Sequence, residues 1–210
     1  MKQLFLAASV DGVAGDIGRK LQAQKKHQKL VFITTASEPE KGDLWWLRAD
    51  RQALVKAGFA VTDYSVTNKV PNEIEQELNK AEVICVSGGN TFYLLEKMQT
   101  SGADKIVTQQ VLAGKPYVGS SAGSVVVGPN IGMANSDDRL AAPNLKSDQG
   151  LGIVDFIIFP HWGSEIFRDD YLSRARELVY SEEYKLLPLT NYQCVWVRDE
   201  WYQIVEVKHK

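Results

Sequence analysis

The sequence of 210 residues has few cysteines and histidines and no excess of either charge. Cys85 and Cys194 lie inside apolar runs of strand length, which favours buried, reduced thiols over a disulfide framework. The 24 basic and 26 acidic residues nearly balance, so no basic field is expected that would attract nucleic acid or an anionic membrane. We therefore expect a small-molecule partner.

The N-terminal segment also lacks a long apolar run. About six apolar or small residues precede Asp11, too few for a signal-peptide core or a membrane span. We expect a cytoplasmic protein, either a monomer or a homodimer. A hydrophobic content of 44% at this length suffices for one full core, so a single domain over residues 1–210 is predicted.

Strand-length apolar runs alternate with helix-sized segments through the first half of the chain. These runs are Leu4–Ala8, Leu30–Thr34, Ala60–Val66, Val83–Val86 and Pro116–Val118. Asp43 and Thr91 are predicted to cap helices, and Pro71 to lie in a first helical turn. Such alternation predicts right-handed crossovers and a doubly wound α/β domain, with a mainly parallel sheet covered by helices on both faces.

The second half is less regular. Residues 128–152 are rich in Pro, Gly, Asn and Asp and predict a long functional loop. The elements expected after it are a strand at Gly152–Phe159, a helix at about Glu165–Tyr180, a short strand at Lys185–Leu189, and a C-terminal hairpin of Val195–Val197 with Tyr202–Val207.

The strongest motif is Gly119-Ser120-Ser121-Ala122-Gly123, which follows a strand-like run directly. A G-x-S-x-G frame in this position is typical of a nucleophile elbow, in which the glycines permit a sharp turn from strand into helix. The turn exposes the serine hydroxyl and frees the N–H of the next residue to bind an oxyanion. Ser121 is therefore the candidate nucleophile.

A serine nucleophile needs a base, normally a histidine oriented by a carboxylate. His27 lies in a basic polar stretch and His209 is the penultimate residue, so neither is a good candidate. His161 follows the strand-like run that ends at Phe159, which would bring it to the same sheet edge as Ser121. Elimination leaves His161 as the base.

Three acids are candidates for orienting the histidine. Asp137 and Asp138 lie between the nucleophile and the base, and Glu165 lies four residues past the base. We favour the aspartate pair, with Asp137 weakly preferred, because Glu165 is placed to begin a helix and to interact with its dipole. All three acids could also be solvated surface charges.

The oxyanion hole needs two N–H donors, one expected from Ala122. The second is expected from Gly88 or Gly89, since glycine allows torsions that turn an N–H inward and lets a substrate approach the main chain. A phosphate-cradling loop is the rival interpretation of residues 87–91. The segment lacks both the Walker lysine and the third glycine of a dinucleotide fingerprint.

Four segments together resemble peptidase E and its relatives, the S51 serine peptidase family that includes cyanophycinases. They are Ser87-Gly88-Gly89-Asn90-Thr91-Phe92, Gly119-Ser120-Ser121-Ala122-Gly123-Ser124, Asn135-Ser136-Asp137-Asp138 and Phe159-Pro160-His161. The resemblance covers most of the chain. It implies a fold like that of class I glutamine amidotransferases, with a serine triad in place of the amidotransferase cysteine. The 40 positions between Ser121 and His161 also argue against an ordinary α/β-hydrolase.

The resemblance further implies a dipeptidase acting on N-terminal aspartyl or similar small acidic peptides. An anionic substrate side chain would need a cation, and Arg139 and Arg168 lie close in sequence to the site residues. With Asn90 they are the candidate substrate-binding residues, although each arginine could be a solubilising charge. The segment after His161, Trp162-Gly163-Ser164-Glu165, departs from the family pattern and predicts an altered pocket.

Two other functions stay open at this point. The chain could be a glutamine amidotransferase-like enzyme, although the elbow lacks a cysteine. It could also be a non-catalytic binding or regulatory protein of the same fold. No clustered metal ligands occur in the sequence, so neither a metal nor another cofactor is expected. Trp45, Trp46 and Trp162 are expected to pack in the core or at an interface.

Overall fold

A computed structural model gives the structure of residues 1–21, 28–134, 136–168 and 184–207, and for residues 136 and 137 it describes the backbone only. The strands are β1 (Gln3–Ala7), β2 (Lys29–Ile33), β3 (Ala60–Tyr64), β4 (Val83–Val86), β5 (Tyr117–Ser120), β6 (Phe156–Phe159), β7 (Lys185–Pro188), β8 (Gln193–Arg198) and β9 (Trp201–Glu206). The α-helices are α1 (Ala14–Leu21), α2 (Trp45–Lys56), α3 (Pro71–Lys80), α4 (Thr91–Ser101), α5 (Ala103–Leu112) and α6 (Ala122–Val125). Short 3₁₀ helices occupy Thr35–Ser37, Ser136–Ala141 and Glu165–Phe167.

Seven strands form the central sheet, in the order β3-β2-β4-β5-β1-β8-β9. The first five of these pair in parallel, whereas β8 pairs antiparallel with both β1 and β9. Strand β4 is buried along its whole length, as expected for a parallel strand covered on both faces. The predicted mainly parallel α/β sheet and the C-terminal hairpin are confirmed.

Two strands lie outside the central sheet. Strands β6 and β7 pair in parallel with each other and place Phe159 opposite Pro188. The peptide groups continue this pairing, because Leu189 N–H donates to the Phe159 carbonyl at 2.9 Å and Trp162 N–H donates to the Leu189 carbonyl at 2.8 Å. The segments that follow β6 and β7 are therefore held side by side.

Apolar side chains fill both faces of the central sheet. One buried cluster includes Leu6 and Phe92, and the other includes Phe5, Phe32 and Leu54. Cys85 and Cys194 are buried free thiols, as predicted, and burial raises the pKa of Cys194 to about 12. Within the described residues, no helix is both long enough and apolar enough to cross a membrane.

Two expected helix starts differ from the sequence interpretation, and a third expected helix is described only at its first residues. Asp43 does not cap α2; its carboxylate pairs with Arg48 instead. Helix α4 is capped by Asn90, whose Oδ1 accepts from Tyr93 N–H at 2.8 Å, and not by Thr91. The helix expected at 165–180 begins as a 3₁₀ turn, and its remainder from 169 onward lies outside the described residues. The expected Pro71 position in α3 is confirmed.

Close packing of the elbow on β4 predicts a large stability difference between two glycine-to-alanine substitutions. A Cβ at Gly123 would lie 2.2 Å from the carbonyl oxygen of Val86, so Gly123→Ala must displace backbone. We expect it to lower the free energy of unfolding by about 3 kcal/mol. The matched change Gly15→Ala, on the exposed side of α1, meets nothing closer than 3.7 Å. It is expected to raise that free energy by about 0.5–1 kcal/mol, and urea denaturation measures both.

Candidate active site

Ser121 lies between β5 and α6, where a strand changes into a helix. Its φ is +46°, a left-handed value that is rare for a residue with a side chain. The peptide is held there because Ser121 N–H donates to the Ala7 carbonyl at 3.0 Å, while its own carbonyl accepts from Ser124 and Val125. This conformation is the strained turn expected of a nucleophile elbow.

The glycines of the motif serve a different purpose from the one predicted. Neither Gly119 nor Gly123 is among the residues with positive φ, so the serine itself carries the unusual torsion. A Cβ at Gly119 would lie 2.7 Å from the Gly123 backbone, and Gly123 packs against Val86. The glycines are thus required because strand β5, helix α6 and strand β4 approach too closely for a side chain.

His161 follows β6 by two residues and also has a left-handed φ, of +63°. Its Nε2 lies 3.1 Å from Ser121 Oγ, as expected for a base and its nucleophile. The ring of Phe167 stacks on the imidazole, with the ring centroids 4.9 Å apart. The structure therefore brings the predicted serine and histidine into contact and leaves little freedom to the imidazole.

The partner of the other ring nitrogen is Asn191. Its Oδ1 lies 2.7 Å from His161 Nδ1, and an amide oxygen can only accept a hydrogen bond. Nδ1 must therefore carry the proton, which leaves Nε2 of the neutral ring free to accept the Ser121 hydroxyl proton. Asn191 comes three residues after β7, and the pairing of β7 with β6 places it beside His161.

Among the described residues, the side chain bonded to His161 Nδ1 is thus an amide and not the expected carboxylate. Asp138 lines the same cavity as His161, but both ring nitrogens already have other partners. Glu165 is exposed and pairs with Arg168. The side chain of Asp137, the preferred candidate, lies outside the described residues. Sequence reasoning missed Asn191 because it sought an acid; the available signal was a polar residue directly after a predicted strand.

Burial controls the charge of the histidine. Desolvation lowers the pKa of His161 from 6.5, and the bond to Asn191 and the negative charge of Asp11 oppose this effect in part. The imidazole is therefore neutral at pH 7, the form that can accept a proton. No whole negative charge contacts the ring nitrogens, since the described partner of Nδ1 is neutral.

The residues predicted to supply the oxyanion donors lie close to the serine: Gly88 and Gly89 line the same cavity, and Ala122 is the next residue in the chain. A Cβ on Gly88 would lie 3.3 Å from Ser121 Cβ, and Gly89 has a φ of +124° that few residues other than glycine adopt. Ala122 begins α6 directly after the serine. Among the described hydrogen bonds, none is donated by the N–H groups of Gly88, Gly89 or Ala122. These donors are available to a ligand.

A cavity of about 460 Å³ opens above Ser121 and His161. Aromatic residues form much of its wall, among them Trp45, Trp46 and Phe167. Of the tryptophans expected to pack in the core or at an interface, Trp45 is 59% exposed and Trp46 is only partly buried, so neither lies in the core. Trp162 contacts the ring of Phe159 and is also exposed. A second cavity, of about 560 Å³ beside α5, contains none of the candidate site residues.

The predicted substrate-binding residues lie elsewhere. Arg139 is exposed, pairs with Asp148 and covers the ring of Phe92. Arg168 is exposed and pairs with Glu165, and neither arginine lines the cavity. Asn90 is buried and structural, since it caps α4 and its Nδ2 donates to the Asp138 carbonyl at 2.8 Å.

Every charged side chain among the described lining residues is a carboxylate, namely Glu40, Asp50 and Asp138. Burial raises the pKa of Glu40 and raises that of Asp50 to about 6. No group of three or more side chains suited to holding a metal occurs in the part of the chain that the structure describes.

An elbow serine, a neutral and partly buried histidine, and free backbone donors at the edge of a mainly parallel sheet define the class of serine hydrolases. Comparison with known proteins narrows this class. The model of peptidase family S51 matches residues 13–205. The uncharacterized peptidase Lin0382 of Listeria innocua is 33% identical over 95% of this chain and 94% of its own length. The uncharacterized peptidase PM1590 of Pasteurella multocida is 33% identical over the whole of both chains.

Solved structures of other peptidases also resemble this chain. A crystal structure from Listeria monocytogenes EGD-e, described as a candidate peptidase E protein, superposes with a TM-score of 0.89 and 30% identity over 99% of this chain and 100% of that one. A peptidase from an acI-B1 actinobacterium superposes with a TM-score of 0.74 at 19% identity, covering 99% and 88%, which shows the shared fold. The chain belongs to peptidase family S51, and it is a serine-type peptidase.

Proposed function

We propose that this peptidase hydrolyses short peptides through a Ser121–His161–Asn191 triad. The observation that carries the proposal is the continuous path of hydrogen bonds from Ser121 Oγ through the imidazole to the Asn191 amide. An amide in the third position also occurs in the Cys-His-Asn arrangement of papain-like proteases. It fixes the ring and its tautomer without adding a charge.

In the first half-reaction, Ser121 Oγ attacks the peptide carbonyl while His161 Nε2 takes the hydroxyl proton. The N–H groups of Ala122 and of Gly88 or Gly89 stabilise the resulting oxyanion. When the C–N bond breaks, Nε2–H protonates the leaving amine and an acyl-enzyme remains. Water then attacks this ester with His161 again as base, which releases the acid and restores the serine.

The preference for an N-terminal aspartate stays a prediction. The resemblance to peptidase E supports it, and so do shorter matches to curated peptidase E proteins such as that of Shewanella denitrificans, 33% identical over 53% of this chain. The charged residues that line the described cavity are all acidic, so an aspartyl side chain would need a cation from outside this lining. The acidic specificity is therefore separable from the peptidase activity.

A panel of dipeptides tests both the peptidase activity and the preference for an N-terminal aspartate. Asp-Leu and Asn-Leu have nearly the same shape, so their ratio of kcat/KM measures recognition of the charge alone; Ala-Leu and an N-acetylated dipeptide complete the set. Aspartyl specificity predicts that Asp-Leu exceeds Asn-Leu by about tenfold or more. Equal kcat/KM values for Asp-Leu and Asn-Leu would refute the acidic preference but leave the proposed peptidase activity supported. No hydrolysis of any member, nor of a wider ester panel, would favour the non-catalytic alternative.

The buried histidine predicts the pH dependence of activity. Because the neutral imidazole is the base and its pKa is lowered from 6.5, kcat/KM should be full at pH 7 and be lost only as the pH falls below 6.5. Asn191→Asp places a carboxylate on Nδ1, favours the imidazolium and should move this loss upward by about one pH unit. Asn191→Ala should lower kcat/KM about 100-fold at every pH through a misplaced ring.

Asn79→Asp is the matched control, because it makes the same amide-to-acid change at an exposed contact with Gln110. Its pH profile should equal that of the wild type. An Asn191→Asp profile that coincided with the wild-type profile would show that Asn191 does not contact the working imidazole.

A further inference from the structure

A buried carboxylate lies next to the nucleophile and is not used in the reaction above. Asp50 is on α2, is 2% exposed, and reaches the floor of the cavity. Its Oδ2 accepts from the Ser120 hydroxyl at 2.6 Å, and its Oδ1 accepts from the Asp11 N–H at 2.8 Å. Burying an acid is costly, so this position calls for a specific reason.

The two partners of Asp50 are each adjacent to a part of the site. Ser120 is the residue before the nucleophile, and its Oγ also accepts from Val10 N–H at 3.3 Å. Asp11 supplies the negative charge that opposes the lowering of the His161 pKa. The Asp50 carboxylate thus links helix α2 by hydrogen bonds to the end of β5 and to the loop after β1.

We infer that the ionised Asp50 carboxylate is a positioning group for the Ser121 elbow, and that protonating it loosens the elbow. The inference rests on the proposed function, since it assigns the nucleophile to Ser121. The geometry gives the reason. An ionised carboxylate only accepts, which matches the Ser120 hydroxyl and the Asp11 N–H. A carboxylic acid would bring one extra proton into a buried cluster without a further described acceptor for it.

The groups around Asp50 set the pH at which its carboxylate is protonated. Desolvation and the like charge of Asp11 raise its pKa, while the bonds from Ser120, Asp11 and Val10 lower it, with a result of about 6. The buried thiol of Cys85 on β4 is the titratable group facing it from the sheet. On α1, which packs against α2, Asp16 pairs with Arg19 and Lys20. Asp50 therefore changes its charge in mildly acidic solution.

The test uses diisopropyl fluorophosphate, so that no substrate has to be known, and measures the rate of Ser121 modification against pH in the full chain. Protonation of either Asp50 or His161 slows the wild-type reaction, so on the acid side the logarithm of the rate should fall with a maximal slope of about 1.5, steeper than the slope of one for a single group. Asp50→Asn keeps the shape but removes the titration. It should react about tenfold more slowly at pH 7 and fall with a slope of about one.

Ser120→Ala keeps the inference testable if Asp50→Asn does not fold, as judged by circular dichroism. It removes a bond that lowers the pKa of Asp50, so the steep part of the profile should move to higher pH. Ser101→Ala, which alters a buried serine of α4, should leave the profile unchanged. Circular dichroism at each pH shows whether unfolding contributes.

A wild-type slope of one, equal slopes in wild type and Asp50→Asn, or an unmoved Ser120→Ala profile would each overturn the role of Asp50. Those results would leave the proposed function intact as long as Ser121 is the residue modified. Modification that persists in Ser121→Ala would instead refute the proposed function.

Discussion

Ser121→Ala is expected to lower kcat/KM for peptide hydrolysis by about 10⁴-fold or more. Removing a nucleophilic serine from a triad has effects of this order, and what remains comes from substrate binding and the oxyanion donors. Neither neighbouring serine of the motif can substitute, because Ser120 Oγ is buried against Asp50 and Ser124 Oγ donates to the Ala7 carbonyl at 2.7 Å. The measurement is steady-state hydrolysis of the best dipeptide of the panel.

The matched control is Ser164→Ala. Ser164 lines the same cavity, but its side chain makes no hydrogen bond with the described residues. Its removal should change kcat/KM by less than about threefold. If Ser121→Ala stayed as active as Ser164→Ala, another nucleophile or an activated water would have to carry out the reaction.

His161→Ala is expected to lower kcat/KM to a similar degree, because without a base the serine hydroxyl is a poor nucleophile at neutral pH. The double variant Ser121→Ala/His161→Ala should be only slightly less active than either single variant, since both residues act in the same steps. Losses that added in full would indicate two independent contributions. His27→Ala, a change in the polar segment at 25–29, is the control and should match the wild type.

Local sequence signals were sufficient for most of the fold. The buried runs that became β2 and β4 and the proline of α3 are confirmed, because apolar periodicity and proline chemistry act over a few residues. The small second sheet was not foreseen. Pairing of β6 with β7 depends on a long-range contact between residues 29 positions apart, which no local pattern encodes.

In the site, too, residues marked by local sequence signals could be predicted, whereas a residue placed by a long-range contact could not. Ser121 and His161 could be named because a sequence motif and the scarcity of histidine identify them. Asn191 could not, since its role arises from the pairing of β6 with β7 and the order Ser, Asp, His directed attention to acids. Arg139 and Arg168 were chosen by closeness in the sequence, yet both lie in ion pairs at the surface.

Only the packed structure explains why the motif needs glycines and why Ser121 and His161 can adopt left-handed torsions. Gly119 and Gly123 are fixed by backbone contacts across three elements, whereas the unusual torsion falls on Ser121 and His161 themselves. Strain at two reacting residues is tolerated because the surrounding hydrogen bonds and packing hold them.

The site of covalent modification by diisopropyl fluorophosphate at pH 7, read by intact mass and peptide mapping, shows directly whether Ser121 is the activated nucleophile. We expect one adduct per chain, on Ser121, that is absent in Ser121→Ala and forms at least about 100-fold more slowly in His161→Ala. An unmodified wild-type protein, an adduct on another residue, or an equal rate in His161→Ala would contradict a nucleophile activated by the 3.1 Å contact between Ser121 and His161.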